Sequence, residues 1–134
     1  MIDPGVVETP VGYVDLSRVT ANAHRVATYA AAHGLRWRPH IKTHKSKEIA
    51  QIQIEAGAQG LTVATLREAE VMAEVTDDLL LAYPPLGPRK LDRIVQLPEA
   101  LRLKVAIDSE EALIPLARAA NSAARSVGIL VEQD

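Results

Sequence analysis

The residues best able to do chemistry in this chain lie between positions 36 and 48, in "RWRPHIKTHKSKE". Arg36, Arg38, His40, Lys42, His44, Lys45 and Lys47 carry, or can carry, positive charge there. Taken as a strand of period two, residues 36–43 place Arg36, Arg38, His40 and Lys42 on one face, with Trp37, Pro39, Ile41 and Thr43 on the other. One reading is an edge strand with its charged row in water, which Pro39 supports, because proline is tolerated on edges and at strand starts. The other turns the row into a cleft or a barrel mouth, with Lys42 near the carboxyl end of the strand, where parallel α/β proteins gather ligands. Spacing alone leaves the two level. Like charge from Arg38, His40 and Lys45 disfavours the charged form of an amine and so favours a neutral nucleophile. Such an amine forms a Schiff base with an aldehyde cofactor such as pyridoxal phosphate, and the cluster would also welcome an anionic ligand.

Other candidates are weaker. His40 and His44 stand at the spacing of a zinc pair on a helix, but the metalloprotease motif needs Glu directly after the first His, and Ile41 stands there. On a strand the two would be ~13 Å apart, too far for one ion, so a metal pair is rejected. His24 and His33 fall within a helix and at its end, where surface or capping roles are expected. "GAQG" (57–60) lacks the spacing and the Lys-Ser/Thr of a phosphate loop, and no G-x-G-x-x-G occurs. Asp108, Glu132 and Asp134 lie near strand ends as potential catalytic acids, although Asp108, directly before Ser109, suits a helix-cap region better. Tyr83, ending "LLLAYPP", falls either where a barrel presents residues to ligand or in the core with its hydroxyl at the rim.

The elements that must position these residues alternate. Strands are predicted at "VGYVDL" (11–16), "LRWRPHIKTH" (35–44), "GLTVA", "DLLLAYP", "LRLKVAID" and "GILVEQD". Between them come helices. Ser17 is expected to cap the first, with Val19, Ala23, Val26 and Ala30 at helical spacing and Gly34 at its end. The second runs through Ile49, Ile52 and Ala56 to Gly57. Thr65 and Glu68 form a capping box for the third, Gly87-Pro88 opens the fourth, and Ser109 should cap the fifth, in which Pro115 sits late enough to kink it. Strand–helix repeated about five times makes an α/β fold, a parallel sheet covered by helices. The apolar residues agree: no Phe, one Trp and three Tyr among many Ala, Leu, Val and Ile, a composition suited to helices packed closely on a buried parallel sheet.

The totals exclude several classes. A chain of 134 residues fits one domain. Net charge of −2 argues against nucleic acid and acidic membranes as partners. Zero Cys removes disulfides, zinc–thiolate sites and thiol nucleophiles, and fits a reducing compartment. "MIDPGVVETP" has no secretory pattern, and no apolar run approaches the ~20 residues of a membrane span, so a cytoplasmic protein is expected.

"RPHIKTHKSKEIAQIQIEAGAQGLTVATLREAEVMA" closely resembles the opening of the D-threonine aldolase and D-serine dehydratase group, pyridoxal-phosphate enzymes of alanine-racemase-type fold. "TPVGYVDL", "LLLAYPPLGPRKL" and "VAIDSEEAL" resemble further parts of the same group, so the likeness runs through almost the whole chain. The resemblance implies that Lys42 carries the cofactor; His40, on the same face as Lys42, is the best candidate for a cofactor contact, and Tyr83 a weaker one. It implies a partial (β/α) barrel of about five parallel strands over residues 1–134, truncated relative to the group, with the second half of the barrel and the C-terminal β domain absent. A divalent metal is expected in the full-length proteins, its ligands outside this chain. The implied reaction acts on small D-β-hydroxy-α-amino acids, by retro-aldol cleavage to glycine and an aldehyde or by β-elimination. The alternatives are an amino-acid racemase, a pyridoxal-phosphate carrier or regulator, and an inert fragment. Open strand edges in a half barrel invite association, which makes a homodimer a further expectation. A doubly wound five-stranded sheet is the competing architecture.

Overall fold

The computed structural model describes Val6, Glu8 and residues 10–133. Four parallel strands lie side by side in chain order: β1 (Leu61–Val63), β2 (Asp78–Leu81), β3 (Arg102–Ile107) and β4 (Gly128–Val131). Among the described residues the helices are α1 (Leu16–Ala32), α2 (Lys47–Glu55), α3 (Leu66–Met72), α4 (Pro88–Val95) and α5 (Glu110–Ser122). Each helix packs on the next, from α1 through α5, so they make one layer. Sequential strands under a single helical layer are the arrangement of a β/α barrel. The doubly wound alternative would reverse its strand order and cover both faces. No described helix is long and apolar enough to cross a membrane.

Period two in the strands accounts for the layer. Leu61, Val63, Leu79, Leu81, Leu103, Val105 and Ile107 are each 4% exposed or less and share one core with Ile41, Ala69, Met72, Ile94 and Leu116. Burying each large aliphatic side chain of this set stabilises the fold by roughly 1.5–3 kcal/mol. Their neighbours Thr62, Leu80 and Lys104 stand in register with one another and are only half-buried, on the opposite face. β4 departs from the pattern, with Ile129, Leu130 and Val131 all exposed.

Two expected strands are not formed. Residues 11–14 have no regular structure and are exposed, and no described strand pairs with them, which leaves their backbone groups to water. Asp15, rather than Ser17, caps α1, its carboxylate accepting the Arg18 N–H at 3.2 Å. The second exception is the charged segment. Residues 37–40 run beside β1, the Trp37 and Pro39 carbonyls accepting from Gln59 and Thr62 at 3.0 and 2.8 Å, with His40 bridged to Thr62 in the parallel sense. Pro39 has no N–H to return, so the ladder stays incomplete. At Ile41 the chain tightens into a 3₁₀ turn, Ile41–Thr43. Lys42 therefore leaves the row that Arg38 and His40 begin and stands on a turn.

Other local features follow their residue types. Glu68 N–H donates to Thr65 Oγ1 at 3.2 Å, but the Glu68 carboxylate accepts from Ala64, one residue before the position a capping box specifies. Ser109 occupies the cap position of α5, yet its hydroxyl donates to Asp108 and makes no cap bond. Asp134 lies outside the described residues.

At the amino end of the sheet, Arg38 reaches across β1. One guanidinium nitrogen lies 2.9 Å from Asp78 Oδ1, and another donates to the Asp78 carbonyl at 3.2 Å. Lys104 donates to the same carboxylate oxygen at 2.9 Å. Gly60 lets the arginine pass. Its φ is +154°, and a Cβ there would run into the Arg38 guanidinium and come within 2.5 Å of the Asp78 carbonyl. Gly60→Ala should lower stability by about 2–4 kcal/mol through overpacking and backbone strain. Gly12→Ala, whose Cβ would meet nothing within 4 Å, serves as the control. Urea denaturation of the two variants checks this.

Candidate active site

In a parallel sheet all carboxyl ends face the same way, which collects the residues after each strand on one side. His40 to Lys42 follow the edge segment, Ala64 and Thr65 follow β1, Ala82 and Tyr83 follow β2, Asp108 follows β3 and Glu132 follows β4. Lys42 is held between Ile41, fully buried in the core, and His44, which is half-buried. Its side chain is exposed and makes no ion pair or hydrogen bond among the described residues, whereas Lys45 is 2.8 Å from Glu68 and Lys47 is 2.8 Å from Glu74. The cationic crowd expected around Lys42 is thus largely dispersed: Arg38 is bound to Asp78 at the far end of the sheet and Lys45 is bound to Glu68.

His40 is half-buried beside Thr62, and its Nδ1 accepts the Lys42 backbone N–H at 3.3 Å. A ring accepting through Nδ1 carries its proton on Nε2 when neutral. Burial lowers the His40 pKa, and the nearby Lys42 charge lowers it further, against the opposing pulls of Glu68 and the Thr62 backbone. Burial likewise lowers that of His44, opposed by Gln53 and the Ser46 backbone. His44 Nδ1 accepts from Ser46 N–H at 3.1 Å; its Nε2 and Gln53 Oε1 are buried without a well-directed hydrogen bond. Residues 40–44 form no metal site with each other, and no group of three or more His, Cys, Asp or Glu among the described residues is placed to hold a metal.

Glu68 was legible only as a capping residue. Folded, it is the buried charged residue of the described chain, 6% exposed. Burial pushes its carboxyl up, but the Lys45 ammonium and the N–H groups of Ala64 and Thr65 outweigh that and hold it below the usual carboxylate range. Its Oε1 meets Lys45 at 2.8 Å as an ion pair without well-aligned hydrogen-bond geometry, and Oε2 accepts from Ala64 at 2.7 Å. The partnership spans β1, so local pattern could not reveal it.

Tyr83 is 64% exposed and lines a cleft of about 470 Å³ between α3 and α4, with Thr65, Arg67, Lys90 and Arg93 on its walls. Neither Lys42 nor His40 lines that cleft. The structure brings His40 and Lys42 together and leaves Tyr83 in a separate hollow. His33 ends α1, stacked on Tyr29 with centroids 4.1 Å apart, and His24 is exposed, as surface and capping roles require. Asp108 and Glu132 are exposed.

A sequential parallel sheet under one helical layer is the arrangement of part of a β/α barrel, with Lys42, which has no ion pair among the described residues, on the turn after its edge segment. The chain belongs to the alanine racemase N-terminal domain family, which it matches over residues 14–134. It is 36% identical over 130 residues to the D-threo-3-hydroxyaspartate dehydratase of Delftia sp. (strain HT23), covering 96% of this chain and 34% of that protein. To the 3-hydroxy-D-aspartate aldolase of Paracoccus denitrificans it is 32% identical over 136 residues, covering 99% and 35%. The crystal structure of D-threonine aldolase from Filomicrobium marinum superposes with a TM-score of 0.89 at 32% identity, over 96% of this chain and 35% of that one. The chain spans about a third of the length of these relatives.

The pKa shifts give a signed prediction. Asp78, raised by burial but lowered more by Lys104 and Arg38, and Glu68 both sit below their ordinary values. Their stabilisation is fully present above about pH 4 and is lost as pH falls through the lower folded values. His40 and His44 are also lowered, so the fold favours their neutral rings, and that stabilisation begins to be lost below about pH 6.5. Thermal midpoints measured on acidification should fall in two stages, the first below about pH 6.5 and the second below about pH 4. The double variant Glu68→Gln, Asp78→Asn should flatten the second stage, while the first persists and deepens, because Glu68 no longer opposes the lowering of His40.

Proposed function

We propose that Lys42 is the attachment point for pyridoxal phosphate, in a protein acting on D-β-hydroxy-α-amino acids. One observation carries this. Of the lysines in the 36–48 segment, Lys45 and Lys47 are paired with carboxylates while Lys42 makes no ion pair among the described residues, at the carboxyl end of the sheet. The family membership and the three relatives named above, two of which act on a hydroxyaspartate and one on D-threonine by name, support the substrate class.

The residues present fit the aldehyde end of that cofactor. A primary amine with no competing partner is the group that captures a carbonyl carbon. When bound, pyridoxal phosphate supplies an electron sink that stabilises negative charge at Cα, which serves both carbon–carbon cleavage and loss of a β-hydroxyl. The chain's own contribution is placement. Buried Ile41 anchors the turn on one side, and His40 braces the Lys42 backbone through Nδ1. Enclosure of the amine is not supplied by these residues, and the relatives' greater length provides the chain that could wall it in. We keep with this reading the small D-amino-acid substrate, the cytoplasmic setting and the homodimer expected from the sequence. Tyr83, in its separate cleft, has less support as a contact.

The exposure of Lys42 favours a second reading, in which this stretch captures the cofactor without turning over substrate. One experiment addresses both. Add pyridoxal phosphate, reduce with borohydride and map the modified lysines by mass spectrometry, then assay D-threonine, D-serine and 3-hydroxy-D-aspartate. Lys42 should be labelled ahead of Lys45, Lys47, Lys90 and Lys104, and Lys42→Ala should abolish saturable uptake. Labelling spread evenly over the lysines would overturn the assignment; selective labelling without turnover would select the second reading.

A further inference from the structure

We propose that the Lys45–Glu68 ion pair is a positioning device for Lys42, fastening the turn that carries it to the first turn of α3. The inference rests on the reading of Lys42 given above, but its geometry stands by itself. Lys45 has φ +52°, one of two non-glycine residues at positive φ among those described. An L-residue in that region costs about 1–2 kcal/mol, so the surroundings must hold it there. Two contacts do so. The Lys45 N–H donates to the Ile41 carbonyl at 2.8 Å, closing the turn around Lys42, Thr43 and His44. The Lys45 ammonium meets Glu68 at 2.8 Å.

Glu68 is a firm anchor. Its carboxylate is 7% exposed and also accepts the Ala64 N–H at 2.7 Å, and its own N–H donates to Thr65 Oγ1. Ala64 follows β1, whose Thr62 is bridged to His40. The loop from His40 to Lys45 is therefore tied at both ends, to Thr62 of β1 by the His40 bridge and to Glu68 in the first turn of α3 by the ion pair, with Ile41 sunk in the core between. Lys42 is the first residue after that hydrophobic anchor and has little freedom left in its backbone. Removing the ammonium would strand a buried carboxylate and release the strained φ together, and the turn would relax.

A set of variants tests this: Lys45→Met removes the cation, Glu68→Gln the anion, Lys45→Gly the cation while leaving positive φ without strain, and Lys45→Arg restores the pair. Two readouts are taken on variants that retain the native circular dichroism. Hydrogen exchange at the Lys45 N–H reports the turn whether or not Lys42 captures an aldehyde. The ratio of Lys42 to Lys90 labelling by pyridoxal phosphate and borohydride reports placement of the amine. In the Met, Gln and Gly variants, protection and labelling ratio should each fall about tenfold, a loss expected when a reacting group shifts by a fraction of a residue. Lys45→Arg should keep both. Unchanged protection in both Lys45→Met and Glu68→Gln overturns the proposal, even if their thermal midpoints fall. An intact Lys45→Gly shows that backbone conformation alone positions the turn and overturns the role of the pair. Wild-type labelling without preference for Lys42 defeats the cofactor assignment instead, and the exchange data still decide the clamp.

Discussion

Asp78 sits part-buried at the amino end of β2, and a carboxylate removed from water has to be met by positive charge. Lys104 on β3 and Arg38 on the edge segment supply it, each 2.9 Å from the same oxygen. The consequence for the edge segment is large. Pro39 denies residues 37–40 a full ladder with β1, and the bidentate reach of Arg38 to the carboxylate and carbonyl of Asp78 compensates by tying the segment to a strand two places away. Gly60 is the cost of the route, since any side chain there would occupy the path of the guanidinium. This crossing adds to the backbone hydrogen bonds from Gln59 and Thr62 in fixing where the turn at residues 41–43 begins.

The same segment is held again at its other end, where Ile41 enters the core and Lys45 meets Glu68. What reads as a single run of positive charge is thereby divided by its partners. Arg38 and Lys45 are structural cations, each matched to a poorly exposed acid. Lys47 pairs at the surface with Glu74, a contact that contributes little in water. Lys42 remains. A free amine between two clamped points is a sharper reason to suspect chemistry there than the local density of charge, which the pairing largely cancels.

The legible parts of the sequence were those whose cause is local. The short apolar runs in "GLTVA", "DLLLAYP" and "LRLKVAID" marked β1 to β3 because each strand buries side chains against helices. Gly57 and the Gly87-Pro88 pair marked helix ends because their backbone requirements are intrinsic. Residues 11–14 misled for the opposite reason. Strand propensity is a fit to neighbouring strands, and no described strand lies beside them. Asp15 takes the cap position expected of Ser17, since either residue type can serve there. Lys42 was found by motif, whereas its clamp was not. Lys45 and Glu68 are separated by the whole of α2 and β1, and only the fold brings them together.

The helix-covered face and the open face divide the work of this molecule. Leu61, Leu79, Val105 and their helical partners generate the stability, and that side is complete. The opposite face carries Thr62, Leu80 and Lys104 only half-buried, and β4 shows its apolar side chains to solvent. Water stabilises the charged form of any amine, and the neutral nucleophile is favoured by desolvation. In this chain the edge segment and its two clamps fix where the Lys42 amine stands, and that amine faces solvent.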